Sequence, residues 1–272
     1  MDILKEEFMQ SFIRMANDGW DQGWHERNGG NLTYRMKEQE AAACQACFSF
    51  TGPWVELGVC APNLGGAYFV ATGSGKYFRN VKRAPEESLC IARLNEKGDA
   101  YQIVWGLVAG GRPTSEFPSH IMNHAVKTAV SPDYRVIYHA HPANTIALTF
   151  VLPLTDRDFT LALWESATEC PVVFPAGVGV VEWMVPGGAE IALATSELMK
   201  TYDVAIWAHH GVFCAGPDFD STFGLMHTVE KAAEIRVKAL SCGAGIRQTI
   251  RPEDFRAVAR DFNLTLNEAL LK

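Results

Sequence analysis

The sequence lacks a long apolar run, because no uninterrupted stretch approaches the roughly 18 residues that indicate a membrane-spanning helix. It also lacks a cluster of lysine and arginine, and its formal net charge is −7 at pH 7, which gives no electrostatic footprint for nucleic acid or an anionic membrane. Residues 1–7 mix both charge signs and do not resemble a signal peptide. We therefore expect a cytoplasmic protein with neither nucleic acid nor a membrane as a partner.

Paired cysteines, internal repeats and low-complexity linkers are missing as well. The seven cysteines are odd in number and scattered, and Cys44 and Cys47 form the one C-x-x-C, whereas a zinc knuckle needs a second pair. The cysteines are therefore expected to be incidental. With 272 residues, of which 48% are hydrophobic, the chain can bury a sizeable core. We expect a single domain that spans residues 1–272.

Apolar periodicity predicts a mixture of helices and strands. Helices are predicted near residues 3–18, 119–130, 142–151, 188–202 and 221–240, and from residue 251 onward. Strands are predicted near residues 32–35, 68–72, 88–94, 101–105, 136–141, 171–175 and 203–209. Asp220 or Ser221 is the expected cap of the long helix, and residues 37–62 are expected to be irregular. Short turns between the early strands favour a largely antiparallel sheet covered by helices.

Two histidines separated by one residue end the apolar run of residues 136–141. On a strand, residues i and i+2 point to the same face, so His139 and His141 leave the sheet together and could supply two nitrogen ligands to a divalent metal. A second apolar run ends in His209 and His210, but only one of these adjacent side chains can face a given side of the sheet. Alternatively, His139 and His141 are core or surface histidines that bind no metal. The second apolar run makes this alternative less favoured, because it offers a third ligand.

Three further polar segments lie at predicted turns. Asn28-Gly29-Gly30-Asn31 is either a hairpin turn or an anion-binding nest of backbone N–H groups. Residues 72–76 resemble half of a nucleotide-binding P-loop, but its first glycine and its Mg²⁺-binding Ser/Thr are replaced, so we expect at most a site for a single phosphate. Thr114 and Ser115 stand where caps and anion ligands occur, and Glu116 lies just ahead of a helix N-terminus that stabilises a carboxylate.

His120 and His124 imitate a helical zinc pair because they are four residues apart on a predicted helix. The glutamate of the His-Glu-x-x-His motif is absent, since residue 121 is isoleucine. We therefore predict that both histidines are structural, and a zinc hydrolase built on them is disfavoured.

Several of these segments occur in the order of the zinc-dependent class II aldolase and sugar-phosphate epimerase family, which the chain resembles over nearly its whole length. They are residues 28–31, 72–76, 114–116, 139–141 and 210–213. The resemblance implies an α/β fold of three αβα layers with a largely antiparallel central sheet. It also implies Zn²⁺ held by His139, His141 and His210, with Glu116 as a ligand at rest and a base in turnover. One departure is that the residue before the ligating histidine is a second histidine, His209.

The resemblance also implies which residues bind the substrate. The residues that match the family's phosphate-binding positions are Asn28, Gly30, Asn31, Ser74, Gly75, Thr114 and Ser115. Glu165 matches a carboxylate that in such aldolases reaches the site of a neighbouring subunit, and the family implies a homotetramer. The expected partner is therefore a sugar phosphate bound at sites shared between subunits.

Longer matching segments favour the aldolases of this family, which cleave the C3–C4 bond of a ketose 1-phosphate. These segments are residues 20–33, 73–80, 105–107, 163–165, 172–179, 183–187 and 222–225. Cleavage leaves an enediolate, whose developing negative charge needs a cation such as Zn²⁺. Glu116 is predicted to move the proton at the enediolate carbon, and Glu165 to serve the aldehyde side.

Two other functions remain open at this point. A related aldolase or a C4 epimerase would use the same metal and the same enediolate. A non-catalytic binding module on this fold is disfavoured, because the three histidines and Glu116 are all present.

Overall fold

The computed structural model describes residues 2–272, and its centre is a nine-stranded sheet. The strands are β1 (Asn31–Arg35), β2 (Val55–Glu56), β3 (Tyr68–Thr72), β4 (Leu89–Leu94), β5 (Ala100–Gly106), β6 (Val136–Ala140), β7 (Gly179–Val181), β8 (Val204–Trp207) and β9 (Gly211–Gly216). Their order across the sheet is β2-β5-β4-β3-β1-β6-β9-β8-β7. Every neighbouring pair is antiparallel except β7 and β8, which are parallel. The prediction of a largely antiparallel sheet is confirmed.

Eleven α-helices accompany the sheet within residues 2–272. They are α1 (Glu7–Asp21), α2 (Glu38–Cys44), α3 (Phe78–Val81), α4 (Pro85–Ser88), α5 (Phe117–Val130), α6 (Ala143–Leu148), α7 (Asp156–Trp164), α8 (Cys170–Val173), α9 (Ala189–Leu198), α10 (Phe219–Ser241) and α11 (Pro252–Asp261). None of the helices in this part of the chain is both long enough and apolar enough to cross a membrane.

Alternate residues of the strands pack into different hydrophobic clusters. On β6, Val136 and Tyr138 join a cluster that includes residues of α1 and α10, whereas Ile137 joins a cluster with residues of α9. On β3, Val70 belongs to the first cluster and Phe69 packs with residues of α5. Because side chains alternate along a strand, helices cover both faces of the sheet.

Four details differ from the sequence-based predictions. Residues 37–62 are not uniformly irregular, because α2 forms there and buries Ala41 and Cys44. Residues 171–175 do not form a strand, since Pro171 suits the first turn of the short helix α8 better than the middle of a sheet. The cap of α10 is Asp218, whose carboxylate accepts a hydrogen bond from the Ser221 backbone N–H at 2.7 Å, rather than Asp220 or Ser221. The apolar run that ends at His209 and His210 is followed by a further strand, β9, which begins at Gly211 and was not predicted.

The polar segments meet because four central strands begin or end at one edge of the sheet. β1 is antiparallel to both β3 and β6, and β6 is antiparallel to β9, so the start of β1 lies beside the ends of β3 and β6 and the start of β9. The register places Asn31 opposite His139 and Val212 opposite Ala140. Segments that are distant in the sequence thus converge on one site.

The turn after His141 is anchored by a buried carboxylate on α10. Glu230 accepts hydrogen bonds from the Asn144 backbone and side-chain amides at 3.0 and 2.7 Å, and from the Thr145 backbone N–H and hydroxyl at 2.9 and 2.7 Å. These donors belong to the first turn of α6, whose N–H groups have no partner within the helix. Glu230 therefore fixes the chain just beyond the second histidine of the His-x-His pair.

Candidate metal centre

Three histidines converge at the edge of the sheet. His139 lies in β6, His141 follows one residue after that strand ends, and His210 lies in the turn before β9. One ligand atom from each ring lies within 4.8 Å of the other two. Neutral imidazoles bind first-row divalent metals through such nitrogens at about 2.0–2.1 Å, so this cluster could hold a metal ion.

Hydrogen bonds on the far side of two of these rings fix which nitrogen faces the cluster. The Nδ1–H of His139 donates to the Val212 carbonyl at 3.1 Å, and the Nδ1–H of His141 donates to Glu26 Oε1 at 2.7 Å. The Nε2 atoms of both rings are buried and have no hydrogen-bond partner. Metal-bound histidines usually donate their other N–H to a carbonyl or carboxylate in this way. These residues therefore fit a divalent metal.

Burial keeps two of the three imidazoles, those of His139 and His210, in the neutral form that binds a metal. The pKa of His139 lies well below its ordinary value, chiefly because the ring is removed from water and also because His141 and His210 are close. The pKa of His210 falls to about 4, again mainly through burial. A neutral imidazole keeps its lone pair free at neutral pH, so no proton has to leave these two rings when a metal binds.

His209 faces away from the cluster. Its backbone has a positive φ of 60°, and its Nδ1 lies 3.1 Å from the Thr149 hydroxyl. Its ring also packs against Phe150, with 4.3 Å between the ring centroids. The structure therefore brings His210, and not its neighbour, to the other two histidines.

Glu116 lies beside the histidine cluster, at the N-cap of α5. Its Oε2 is 3.6 Å from His139 Nε2 and accepts a hydrogen bond of 2.8 Å from the Asn31 side-chain amide. The side chain is buried, and this burial raises the pKa of Glu116, while the bond from Asn31 and the proximity of His141 oppose the rise. A buried carboxylate next to three imidazoles suits both metal ligation and proton transfer.

The glycine-rich segment of residues 28–31 is held by a buried histidine that sequence reasoning missed. His25 Nδ1–H donates to the Gly29 carbonyl at 3.0 Å, and the Tyr138 hydroxyl donates to His25 Nε2 at 2.7 Å. Gly30 has a φ of +72°, and a Cβ there would collide with the His25 ring and the His139 carbonyl. The turn therefore requires glycine because its backbone passes so close to the ring.

The other two polar segments lie side by side at the same edge. The Ser74 backbone N–H donates to the Arg112 carbonyl at 2.9 Å, and the Thr114 N–H donates to the Thr72 carbonyl at 2.8 Å. The Leu32 N–H donates to the Thr72 hydroxyl at 3.2 Å, which links both segments to the start of β1. Ser74 is half-buried and Thr114 is buried. Asn28, Gly75 and Ser115 are exposed.

Glu165 is not part of this constellation within one chain. It lies at the C-terminal end of α7, and its carboxylate pairs with Arg236 of α10 at 3.3 Å. Among residues 2–272, no hydrogen bond joins it to the three histidines or to Glu116.

The buried histidines make the stability of the metal-free protein sensitive to mild acid. Burial lowers the pKa of His25 and His120 to about 3, whereas an unfolded chain has a histidine pKa of about 6.5. Below about pH 6.5 the unfolded state binds more protons than the folded state. The contribution of these neutral rings to the free energy of unfolding is therefore fully present above that pH and is lost as the pH falls towards 3. We expect the free energy of unfolding in urea to fall by about 1.4 kcal/mol per histidine between about pH 7.5 and 5.5.

The matched variant His25→Gln should lose less stability over the same pH interval, because one titrating ring is gone. Equal stability of the original protein at both pH values would contradict the expectation.

Glu26 is expected to strengthen metal binding by orienting His141. Sequence reasoning missed this role, because the two residues are 115 positions apart in the chain. Glu26→Ala should lower metal affinity by about tenfold, near the lower end of the effects seen for such outer partners, since this carboxylate is largely exposed. Competition with a chelating dye measures the change. Asp21→Ala, which removes another exposed carboxylate, should leave the affinity unchanged, and a similar loss in both variants would contradict the assignment.

Known proteins are similar to this chain in sequence and in fold. The family described as Class II Aldolase and Adducin N-terminal domain matches residues 10–237. Rhamnulose-1-phosphate aldolase of Mannheimia succiniciproducens is 45% identical over 271 residues, which are 99% of each chain. The enzyme of the same name from Pectobacterium atrosepticum is also 45% identical, over 99% of this chain and 98% of its own.

Among solved structures, a sugar-phosphate aldolase from Thermotoga maritima is similar with a TM-score of 0.74 and 29% identity, over 88% of this chain and 97% of that one. An L-fuculose 1-phosphate aldolase shares the fold with a TM-score of 0.61 and 18% identity, over 96% and 98% of the two chains. The match to the family over residues 10–237 and the relatives that are 45% identical show that the chain is a lyase of the aldolase type and belongs to the class II aldolase family.

Proposed function

We propose that the protein is a zinc-dependent aldolase that reversibly cleaves L-rhamnulose 1-phosphate to dihydroxyacetone phosphate and L-lactaldehyde. The observation that carries the proposal is the cluster of three imidazole nitrogens within 4.8 Å of one another, beside the buried carboxylate of Glu116. The substrate is inferred from the relatives that are 45% identical over 99% of the chain and are named rhamnulose-1-phosphate aldolase.

His139, His141 and His210 would hold the metal, with Glu116 as a fourth ligand in the absence of substrate. When bound, Zn²⁺ supplies a Lewis acid that stabilises the negative charge developing on the substrate oxygens. Three nitrogen ligands and one exchangeable carboxylate match the ligand types that zinc prefers. The bare Nε2 atoms of His139 and His141 support this assignment.

Glu116 transfers the proton at C1 of the dihydroxyacetone phosphate half. Its Oε2 is placed by the Asn31 amide at 2.8 Å, so the carboxylate has a defined position at the moment of proton transfer. Burial raises its pKa towards the working pH, which favours both release and uptake of a proton. A carboxylate oriented in this way can act as a base in one direction of the reaction and as an acid in the other.

The phosphate of the substrate binds at the edge of the sheet, next to the metal centre. The residues proposed for this role are Asn28, Gly30, Asn31, Ser74, Gly75, Thr114 and Ser115. Their hydroxyls, amides and backbone N–H groups are suitable donors for a phosphate, and the bonds between residues 72–74 and 112–114 keep two of the segments in register. A phosphate held there fixes the ketose, so that its carbonyl group and the neighbouring carbons lie close to Glu116 and the histidines.

The protein is further proposed to work as a homotetramer in which Glu165 serves a neighbouring subunit's site. Within one chain Glu165 pairs with Arg236 and does not contact the histidine cluster, which is compatible with a role across an interface.

We expect sedimentation to show a tetramer and Glu165→Gln to lower kcat by roughly 10²-fold, as for a lost acid–base group. An active monomer would contradict the placement. Full activity of Glu165→Gln together with loss of activity in Glu169→Gln would assign this role to Glu169, an exposed residue four positions further along the chain.

We also propose that residues 1–272 form one class II aldolase-like domain of three αβα layers. The packing of α9 and α10 residues against opposite faces of β6 supports this arrangement.

One assay tests the proposed reaction. The zinc-loaded enzyme is incubated with L-rhamnulose 1-phosphate, and lactaldehyde and dihydroxyacetone phosphate are measured. L-Fuculose 1-phosphate, which differs in stereochemistry, is the control substrate and should react more slowly. Conversion of the substrate to its C4 epimer without lactaldehyde would overturn the aldolase assignment in favour of an epimerase. Absence of any turnover in a zinc-loaded protein would favour a binding module.

A further inference from the structure

A row of buried polar side chains leads from the interior of the protein to Glu116. His124 Nε2 lies 2.9 Å from the Thr33 hydroxyl, and the same hydroxyl lies 2.8 Å from His120 Nδ1. His120 Nε2 contacts the Asn31 side-chain oxygen, and the Asn31 amide nitrogen lies 2.8 Å from Glu116 Oε2. Each of the five side chains is at least nine-tenths buried. Water therefore cannot replace the hydrogen bonds of this row.

The carboxylate end determines the direction of these hydrogen bonds. An ionised Glu116 can only accept, so the Asn31 amide donates to it and the Asn31 oxygen must accept from His120. His120 then carries its proton on Nε2. Because a neutral imidazole has only one N–H, His120 Nδ1 accepts, and the Thr33 hydroxyl donates to it.

The far end of the row requires the same direction. Since the Thr33 hydrogen is used towards His120, its oxygen accepts from His124, which must carry its proton on Nε2. His124 Nδ1 is then a bare nitrogen, and it is the one ring nitrogen of the two histidines that has no hydrogen-bond partner. The opposite direction would bury an unsatisfied N–H there and would turn the Asn31 oxygen towards the Glu116 carboxylate. Both ends therefore select one arrangement, in which every donor points towards Glu116.

The two histidines are neutral, as this arrangement requires. Burial lowers the pKa of His120 to about 3. Burial also lowers the pKa of His124 well below its ordinary value, helped by the proximity of His120, Arg35 and Arg135. Neither ring carries a second proton near neutral pH, so neither can reverse its hydrogen bonds by becoming charged.

We propose that His124, Thr33 and His120 are positioning residues that act through Asn31 to hold the Glu116 carboxylate in one orientation beside His139. The inference deepens the proposed function, because it rests on Glu116 as the group that transfers the proton. It gives His120 and His124 a role in catalysis without contact to the substrate. It also explains the orientation of the Asn31 side chain, whose amide nitrogen donates to Glu116 and whose oxygen accepts from His120. A row of aligned dipoles directed at a carboxylate also stabilises its negative charge where water is excluded.

The protonation pattern can be tested without substrate or metal. Heteronuclear NMR of the metal-free protein, with histidine ring nitrogens labelled, should show both His120 and His124 as Nε2–H tautomers at neutral pH. His120→Gln and His124→Gln identify the two signals. A His120 ring with its proton on Nδ1 would overturn the proposal, because the row would then run away from Glu116.

Two substitutions of Thr33 test whether the row matters for turnover. Thr33→Val keeps the shape but removes the hydroxyl, so kcat should fall roughly tenfold while KM and bound zinc stay unchanged. Thr33→Ser keeps the hydroxyl and should retain most of the kcat. Thr160→Val is the matched control, because Thr160 is a buried threonine whose hydroxyl accepts from the Val178 N–H at 2.9 Å, away from this row. It should lose stability but keep its kcat.

The results separate this inference from the proposed function. A kcat of Thr33→Val equal to that of Thr160→Val would overturn the positioning role. If Thr33→Val does not fold, the tautomers of the original protein decide, and a His120 proton on Nδ1 overturns the proposal. If the unsubstituted enzyme shows the expected tautomers but does not cleave L-rhamnulose 1-phosphate, the proposed substrate is wrong. The proposed orientation of Glu116 would still be supported.

Discussion

Replacing His139, His141 or His210 by alanine is expected to remove bound zinc and to reduce aldolase activity to background. Each ring supplies one of three nitrogens gathered within 4.8 Å. Loss of one leaves two imidazoles and the exchangeable carboxylate of Glu116, which are too few fixed ligands to retain a divalent metal during gel filtration. Zinc content after gel filtration, together with the cleavage assay, measures both losses. The effect should be nearly complete for each of the three substitutions.

His209→Ala is the matched control because it removes an imidazole from the adjacent position. His209 contacts Thr149 and Phe150 instead of the cluster, so this variant should keep its zinc and its activity. If His209→Ala loses zinc while His210→Ala retains it, the assignment of the third ligand is wrong.

The second large effect is expected for Glu116→Gln. The amide has nearly the same shape as the carboxylate but cannot accept and return a proton, so kcat should fall by roughly 10²–10⁴-fold. The fold and most of the zinc should remain, because the three histidines are untouched. Circular dichroism and zinc content verify both points.

Exchange of the C1 proton of dihydroxyacetone phosphate with solvent isolates the step assigned to Glu116. This exchange requires no aldehyde, and it should fall in parallel with kcat in Glu116→Gln. If Glu116→Gln exchanges this proton at the rate of the unsubstituted enzyme but no longer cleaves the ketose 1-phosphate, Glu116 serves the aldehyde half of the reaction. The roles proposed for Glu116 and Glu165 would then have to be interchanged.

The sequence was informative wherever the determining interactions are local. The common direction of His139, on β6, and His141, just beyond its end, follows from the two-residue period of a strand, and Glu116 at the N-cap of α5 follows from Pro118 and the helical stripe behind it. The bounds of β3 were predicted without error for the same reason, since a short apolar run and a following glycine turn are both read from neighbouring residues.

Features that depend on tertiary contacts could not be predicted. The residue pattern alone left the choice between His209 and His210 open, and only the family resemblance indicated His210, because the choice depends on a positive φ in a tight turn, which neither residue type signals. The partnership of Glu26 and His141 spans 115 residues. The β-branched residues Val172 and Val173 favoured a strand, but that segment packs as the helix α8 because tertiary context overrides such weak propensities.

The buried row illustrates a mixed outcome. The four-residue spacing of His120 and His124 suggested a zinc pair, but the missing glutamate at residue 121 predicted that both are structural, and neither belongs to the histidine cluster of the metal centre. That both rings share the hydroxyl of Thr33, about 90 residues away, follows only from the packing of α5 against β1.

The central position of β1 has a consequence for how the active enzyme forms during refolding. Asn31 and Thr33 face α5, whereas Leu32 and Tyr34 enter the hydrophobic cluster on the other side. A slip of one residue in the pairing of β1 would exchange these two sets. Such a misregistered chain could be compact, but Leu32 would take the place of Asn31, whose side-chain amide donates a hydrogen bond to Glu116. Recovery of activity after dilution from denaturant therefore reports the correct register of β1, and it should lag behind the recovery of secondary structure.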